Sequence, residues 1–199
     1  MKGPGQAAFK LPKLILASAS PRRAQLLQQL PIAFEVLPSE ATEVAFEHLS
    51  AGELVQINAY RKARAVSKKF PDALVLGCDT LVTIDAKPLG KPRDLDEAHR
   101  MLELLQGRTH LVVTGVCLVH LRSHRQRLFF DGTSVTFRPL DSRQIRAYLG
   151  SMNPLDKAGA YAIQENGDSI VAEISGSYSN VVGLPIERLR GEISFFATS

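Results

Sequence analysis

The sequence predicts an α/β fold: a mixed, twisted sheet flanked by helices, drawn into one continuous domain of two lobes with a central cleft. Three observations carry that expectation. Short apolar strands alternate with amphipathic helices through the first half of the chain, as they do when helices cover a sheet. Two long strand-like runs, Thr109–Leu121 and Leu128–Phe137, then follow one another across a basic turn, Arg122 to Arg127. No repeat, low-complexity tract or Pro/Ser-rich linker divides the 199 residues.

Taken in order, Met1 to Lys13 reads as a loose leader. It holds Gly, Pro and Gln where a signal peptide needs an apolar core, so the expected compartment is the cytoplasm and residues 14–199 form the single folded domain. Leu14-Ile15-Leu16 is a strand that runs into Ser18-Ala19-Ser20-Pro21-Arg22-Arg23. Ser20 suits an N-cap and Pro21 the first helical position, opening a helix through Leu26, Leu27 and Leu30. Phe34 to Leu37 is the next strand, and an acidic loop, Ser39 to Glu43, follows it. Ser50-Ala51-Gly52-Glu53 has capping-box form and should start a helix burying Leu54, Ile57, Val66 and Phe70. Leu74 to Ile84 is a strand interrupted chemically by Cys78-Asp79-Thr80. Asp94 opens a helix with Ala98, Met101, Leu102 and Leu105 on one face, which Gly107 stops. Beyond the two long strands, Asp141 caps a short helix ending at Gly150. Brief strands are expected around Tyr161-Ala162-Ile163 and over Ile170–Ile174.

Composition narrows the function classes. Hydrophobic content of 45% and charge of 22% are those of an ordinary soluble protein, and a net charge of +4 suits an anionic ligand without demanding nucleic acid. Aromatics are 7% and no basic stripe interleaves with them, which argues against RNA or DNA. No apolar run approaches the ~20 residues of a membrane span. Cys78 and Cys117 each lie in an apolar run and read as small buried hydrophobes. The five histidines lack ligand spacing, and no P-loop, G-x-G-x-x-G, H-E-x-x-H or G-x-S-x-G occurs.

The chemistry-bearing residues lie elsewhere. The Ser18–Arg23 turn places a helix N-terminus and two guanidinium forks together, which is either a phosphate site or a capped surface helix with two solvated arginines. Asp79 in mid-strand calls for a metal, a lysine or a catalytic duty, unless it only marks the lip of a sheet. Glu43 is a second carboxylate or a solvated loop residue. Mg²⁺ is usually held by one or two carboxylates together with substrate phosphates. Lys62 belongs to a basic helix that could be a wet face, whereas Lys91 is set by the rigid Gly90-Lys91-Pro92 turn. Lys157 is a further cation. Gln164 offers a donor and an acceptor matched to the imide edge of uracil or thymine, or is a turn glutamine.

In order along the chain, Leu16 to Arg23, Glu43, Lys62-Ala63, Gly77 to Thr80, Gly90 to Asp94, Thr114 to Val116, Asp156 to Gln164, Gly176 to Tyr178 and Val182 to Pro185 closely resemble the Maf family of nucleoside triphosphate pyrophosphatases. The resemblance implies a fold shared with the inosine-triphosphatase group. The reaction implied is hydrolysis of a nucleoside triphosphate to monophosphate and pyrophosphate with a divalent metal, Mg²⁺ or Mn²⁺. By resemblance Asp79 is the proton acceptor; the chemistry of such a reaction adds the expectation that Asp79 with Glu43 holds the metal and that Lys62 and Lys91 are catalytic cations. Ser18, Ser20, Arg22, Arg23, Lys62 and Lys91 bind phosphate, and Arg22, Thr80 and Gln164 govern substrate choice. The Tyr161-Ala162-Ile163-Gln164 form looks like the subgroup acting on dTTP and UTP. The alternatives are a 7-methyl-GTP or modified-nucleotide pyrophosphatase, and a non-catalytic nucleotide-binding regulator of division. The resemblance suggests a homodimer, and composition points to no membrane or nucleic-acid partner. Two departures from the family pattern stand out: Glu165 where relatives often carry glycine, and Gly191 interrupting the terminal helix.

Overall fold

The computed structural model describes residues 11–46 and 48–197, so residues 1–10 of the expected leader lie outside the described part. Its strands are β1 (Leu14–Leu16), β2 (Phe34–Val36), β3 (Leu74–Ile84), β4 (Lys87–Leu89), β5 (Thr109–His120), β6 (Arg125–Phe137) and β7 (Val171–Ser175). Its helices are α1 (Pro21–Leu27), α2 (Ala51–Lys69), α3 (Leu95–Leu105), α4 (Ser142–Leu149), α5 (Tyr178–Val182) and α6 (Ile186–Ser194). The strands form one mixed sheet in the order β2-β1-β3-β5-β6-β7, with β4 hairpinned onto β3. β1 runs parallel to β2 and β3, while β3, β5, β6 and β7 pair antiparallel in sequence. Among the described residues no helix is long and apolar enough to cross a membrane.

Strand alternation builds two cores. Ile15, Val75, Cys117 and Val119 face α2 and meet Ala59, Ala63 and Val66. Leu14, Leu16, Leu76 and Leu118 face the other way, toward α1, α3, α4 and α6. The helix starts follow local chemistry: Ser50 and Glu53 close a capping box, and Asp94 and Asp141 accept from the N–H groups of Glu97 and Gln144. Cys78 and Cys117 are buried, and burial pushes their thiols up to about 11 and about 12, so both stay protonated.

Several expectations are corrected. Tyr161-Ala162-Ile163 is a buried turn, because Gly159 and Ala160 take left-handed conformations (φ 70° and 62°) and fold the chain away from any strand. The β5–β6 turn is shorter than the basic run: Leu121–Ser123 make one 3₁₀ turn and His124 closes it at φ 52°, which leaves Arg125–Arg127 in β6. Phe70 has left the helix and is 41% exposed; Val55 is fully buried while Ile57 is only half-buried, since the face of α2 against the sheet runs through 55, 59 and 63. Ser20 sits at the N-cap of α1 but its side chain does not cap; the Ser18 hydroxyl accepts from the Ser20 N–H instead. Gly191 does not interrupt α6, whose backbone passes through it with open space on that side.

Candidate active site

A pair of glycines brings helix and sheet together at the site. A Cβ on Gly77 would lie 2.3 Å from the Ala59 carbonyl oxygen, and one on Gly115 would lie 2.4 Å from the Val55 carbonyl. Only glycine permits so close an approach of α2 to β3 and β5. The contact face repeats at i, i+4 through Val55, Ala59 and Ala63, and the next edge of the helix, Asn58 and Lys62, comes to lie over Asp79.

Asp79 and Thr80 are adjacent in β3 and so point to opposite faces. Asp79 is 8% exposed on the α2 side. Its Oδ1 accepts from Lys62 Nζ at 2.7 Å and its Oδ2 from Asn58 Nδ2 at 3.2 Å. Lys62 Nζ also donates to Glu43 Oε1 at 2.6 Å, so one ammonium is shared by two carboxylates. Burial pushes the Asp79 carboxyl above its ordinary range against the pull of Lys62, and the Glu43 charge adds to the rise. Glu43 is half-exposed; burial would raise it too, but the hydrogen bond and charge of Lys62, with Lys91 and Arg23 nearby, hold it below the usual value.

Asn58, which the sequence reading did not single out, fixes Glu43 from the side. Its Oδ1 accepts from the Val44 N–H at 2.9 Å and its Nδ2 donates to the Val44 carbonyl at 3.1 Å. The Asn58 amide thereby ties the acidic loop to α2, alongside Lys62 on Glu43 and Arg61 on the Thr42 carbonyl (3.2 Å), and it also donates to Asp79. No sequence pattern flags this, because Asn58 looks like any polar helix residue.

On the other face Thr80 is held by Arg23. The Arg23 guanidinium donates to Thr80 Oγ1 (2.9 Å), Gly183 O (2.9 Å), Cys78 O (3.1 Å) and Ser18 Oγ (3.2 Å). Arg23 therefore lines the cleft while serving as the junction of β1, β3 and the Gly183 turn. Ser18 is buried with its hydroxyl turned into this junction. Thr80 Oγ1 also bonds Thr114 Oγ1, its neighbour in register on β5, at 3.0 Å.

Arg22 reaches across the cleft to Asp156 Oδ2 at 3.3 Å. Lys157 is almost wholly buried, its ammonium on the Asn153 carbonyl (2.7 Å), Asp156 Oδ1 (2.8 Å) and Glu165 Oε1 (3.4 Å). Lys91 is exposed, and its loop is tied down by the Gly159 N–H donating to the Gly90 carbonyl at 3.0 Å. Gln164 is exposed on the buried turn that ends Tyr161-Ala162-Ile163.

Asn58 and every site residue expected from the sequence except Ser18 line a cleft of about 410 Å³, and Ser18 lines an adjoining hollow of about 340 Å³ that shares Ser20, Arg22, Arg23, Glu43, Lys62, Lys91 and Asp156 with it. The structure thus brings every candidate site residue to one place. The cleft wall carries five cations (Arg22, Arg23, Lys62, Lys91, Lys157) against three carboxylates (Glu43, Asp79, Asp156), so it favours an anion. Its lining also includes the apolar Val82, Val112, Ile163 and Val182, together with Gln164. No three His, Cys, Asp or Glu side chains among the described residues converge to hold a metal ion by themselves. Asp79 and Glu43 offer two hard oxygen donors, a set that suits Mg²⁺ or Mn²⁺ completed by phosphate oxygens and water.

Residues 13–195 match the family model described as Maf-like protein. A dTTP/UTP pyrophosphatase of Symbiobacterium thermophilum is 50% identical over 176 residues, covering 88% of this chain and 90% of that one. A dTTP/UTP pyrophosphatase of Moorella thermoacetica is 47% identical over 184 residues (92% and 95%), and one of Carboxydothermus hydrogenoformans is 44% identical over 181 residues (91% and 97%).

Proposed function

The chain belongs to the Maf family, and from that premise we propose that it hydrolyses dTTP and UTP to the nucleoside monophosphate and pyrophosphate. The observation that carries the reading is the placement of Asp79. A buried carboxylate is held by Lys62 and Asn58 in a cleft lined by cations, by apolar side chains and by the Gln164 amide.

In this reading the triphosphate lies along the rim, with Arg22 and Lys91 on the β- and γ-phosphates and Lys62 near the reacting group. Water attacks the α-phosphorus and passes its proton to an Asp79 oxygen as the bond to the departing pyrophosphate breaks. The negative charge that grows on the pyrophosphate is met by the cationic rim. Burial makes Asp79 a stronger base than an ordinary carboxylate, while Lys62 keeps it ionised and aimed. Asp79 and Glu43 would hold a divalent ion, which supplies further neutralisation of the triphosphate oxygens when bound. The nucleobase fits between the apolar side chains, with the Gln164 amide on the donor–acceptor imide edge of uracil or thymine.

A panel of pyrimidine, purine and 7-methylguanine nucleoside triphosphates, assayed for pyrophosphate release with Mg²⁺ or Mn²⁺, tests this. dTTP and UTP should lead, and Gln164→Ala should narrow their advantage by about tenfold or more. A wild type led by another base, or a preference order that Gln164→Ala leaves intact, contradicts the specificity.

A further inference from the structure

The segment that carries Gln164 has an unusual support. Tyr161, Ala162 and Ile163 are buried, yet among the described residues no strand pairs with their backbone. A buried N–H and C=O without partners would be costly. At Ala162 both are met by one atom. The Tyr148 hydroxyl, on α4, accepts from the Ala162 N–H at 3.0 Å and donates to the Ala162 carbonyl at 3.0 Å. The side chain of Tyr148 is 3% exposed and does not reach the cleft; it lines a separate hollow behind it. Burial pushes its hydroxyl up to about 12, so the proton that this double role needs is retained. Two further contacts frame the same turn. The Tyr161 hydroxyl bonds His110 Nε2 at 2.7 Å, and Ser151 Oγ accepts from Asn166 Nδ2 at 3.0 Å while donating to the Tyr148 carbonyl at 2.7 Å.

We propose that Tyr148 is a positioning residue for base selection: its hydroxyl sets the Ala162 backbone, and through it the place of Gln164, two residues on. The proposal rests on the pyrophosphatase reading above. Gln164 is exposed and has no side-chain partner of its own among the described residues, so its direction depends on the backbone beneath it. An amide that must meet two groups of a base edge at hydrogen-bond distance tolerates little displacement. Removing the hydroxyl leaves the ring packed but the Ala162 N–H unpaired and its carbonyl with only the Glu165 N–H at 3.3 Å, and the turn shifts or frays.

The experiment compares kcat/KM for dTTP and dGTP in wild type, Tyr148→Phe, Gln164→Ala and the double variant. Tyr148→Phe should lower the dTTP:dGTP ratio by about tenfold, mainly through KM for dTTP. In the Gln164→Ala background the same substitution should change the ratio by less than about twofold, because the two act as one unit. A loss of packing alone would lower both substrates together and would persist in either background. A folded Tyr148→Phe that keeps the wild-type ratio, or shifts it equally in both backgrounds, overturns the proposal. Should Tyr148→Phe not accumulate as folded protein, the exposed Ser151→Ala loosens the same turn from its other end. It should shift the ratio in the same direction by about threefold, and an unchanged ratio there also overturns the proposal. A wild type that releases pyrophosphate from no nucleoside triphosphate overturns the underlying reading instead.

Discussion

Replacing Gly77 by alanine should separate catalysis from folding, and its size follows from the helix–sheet contact. The added Cβ would sit 2.3 Å from the Ala59 carbonyl oxygen, 2.7 Å from the Ala63 nitrogen and 2.9 Å from the Ala63 methyl. Two of these are backbone atoms of a buried helix, so no side chain can turn aside. Ordinary contact needs roughly 3.5 Å, so α2 must lift by about 1 Å over β3. Lys62 and Asn58 ride on that helix edge, and their bonds to Asp79 at 2.7 and 3.2 Å lengthen with it. Overpacking of this kind costs about 1–3 kcal/mol of stability. A displacement of about 1 Å in a catalytic group costs about 10²-fold in turnover, or about 2.7 kcal/mol of transition-state stabilisation. Pyrophosphate release from dTTP and urea unfolding, measured on the same preparation, read the two effects. Gly191→Ala is the matched control: its Cβ would meet nothing within 4 Å in α6, so it should stabilise by about 0.5–1 kcal/mol and leave turnover alone. A folded Gly77→Ala protein with wild-type kcat/KM would refute the claim that the glycine contact sets the distance from Lys62 to Asp79.

Two further predictions concern the frame around the site. Arg23→Lys removes a planar fork that serves four acceptors and replaces it with a point charge that cannot reach them together; it should cost about 2–4 kcal/mol in urea unfolding with an unchanged m-value. A loss under about 0.5 kcal/mol would show that the junction at Thr80 and Gly183 is held by other contacts. His110 is 3% exposed, and burial holds its ring down at about 4. The unfolded chain takes up a proton there as pH falls below about 6.5 while the folded chain does not. The stability from this neutral ring is therefore whole above that value and lost between it and about pH 4, up to about 3 kcal/mol in all. His110→Gln, which keeps a partner for the Tyr161 hydroxyl, should flatten that part of the curve; identical pH dependence in both proteins would exclude His110 as its source.

What was legible in the sequence is what local chemistry decides. The capping residues Ser50, Asp94 and Asp141 start their helices as read, and β3 spans Leu74–Ile84 as its apolar run indicates. A mid-strand aspartate demanded a partner, and Lys62 is one. The caps and the strand follow from a residue and its near neighbours; the need for a partner at Asp79 was legible too, but that Lys62, seventeen positions away, would meet it was not. What was not legible depends on contacts far apart in the chain. Asn58 meets Val44 fourteen positions away, Arg22 meets Asp156 across 134 positions, and Arg23 meets Gly183 across 160. The Tyr161–Ile163 run was misread because an apolar triplet does not say whether a strand or a tyrosine hydroxyl will satisfy its backbone. The left-handed Ala160 that turns it away from the sheet leaves no mark in composition.

The central claim is that Asp79 activates the water that attacks the α-phosphorus. Hydrolysis of dTTP in heavy-oxygen water, with products read by mass spectrometry for wild type and Asp79→Asn, tests it directly. The account predicts that the label enters the monophosphate and not the pyrophosphate. It also predicts that Asp79→Asn slows the reaction by at least about 10²-fold while its thermal midpoint stays level or rises, since the buried charge is gone and Lys62 retains Glu43. Label in the pyrophosphate, or a folded Asp79→Asn with wild-type turnover, would contradict it.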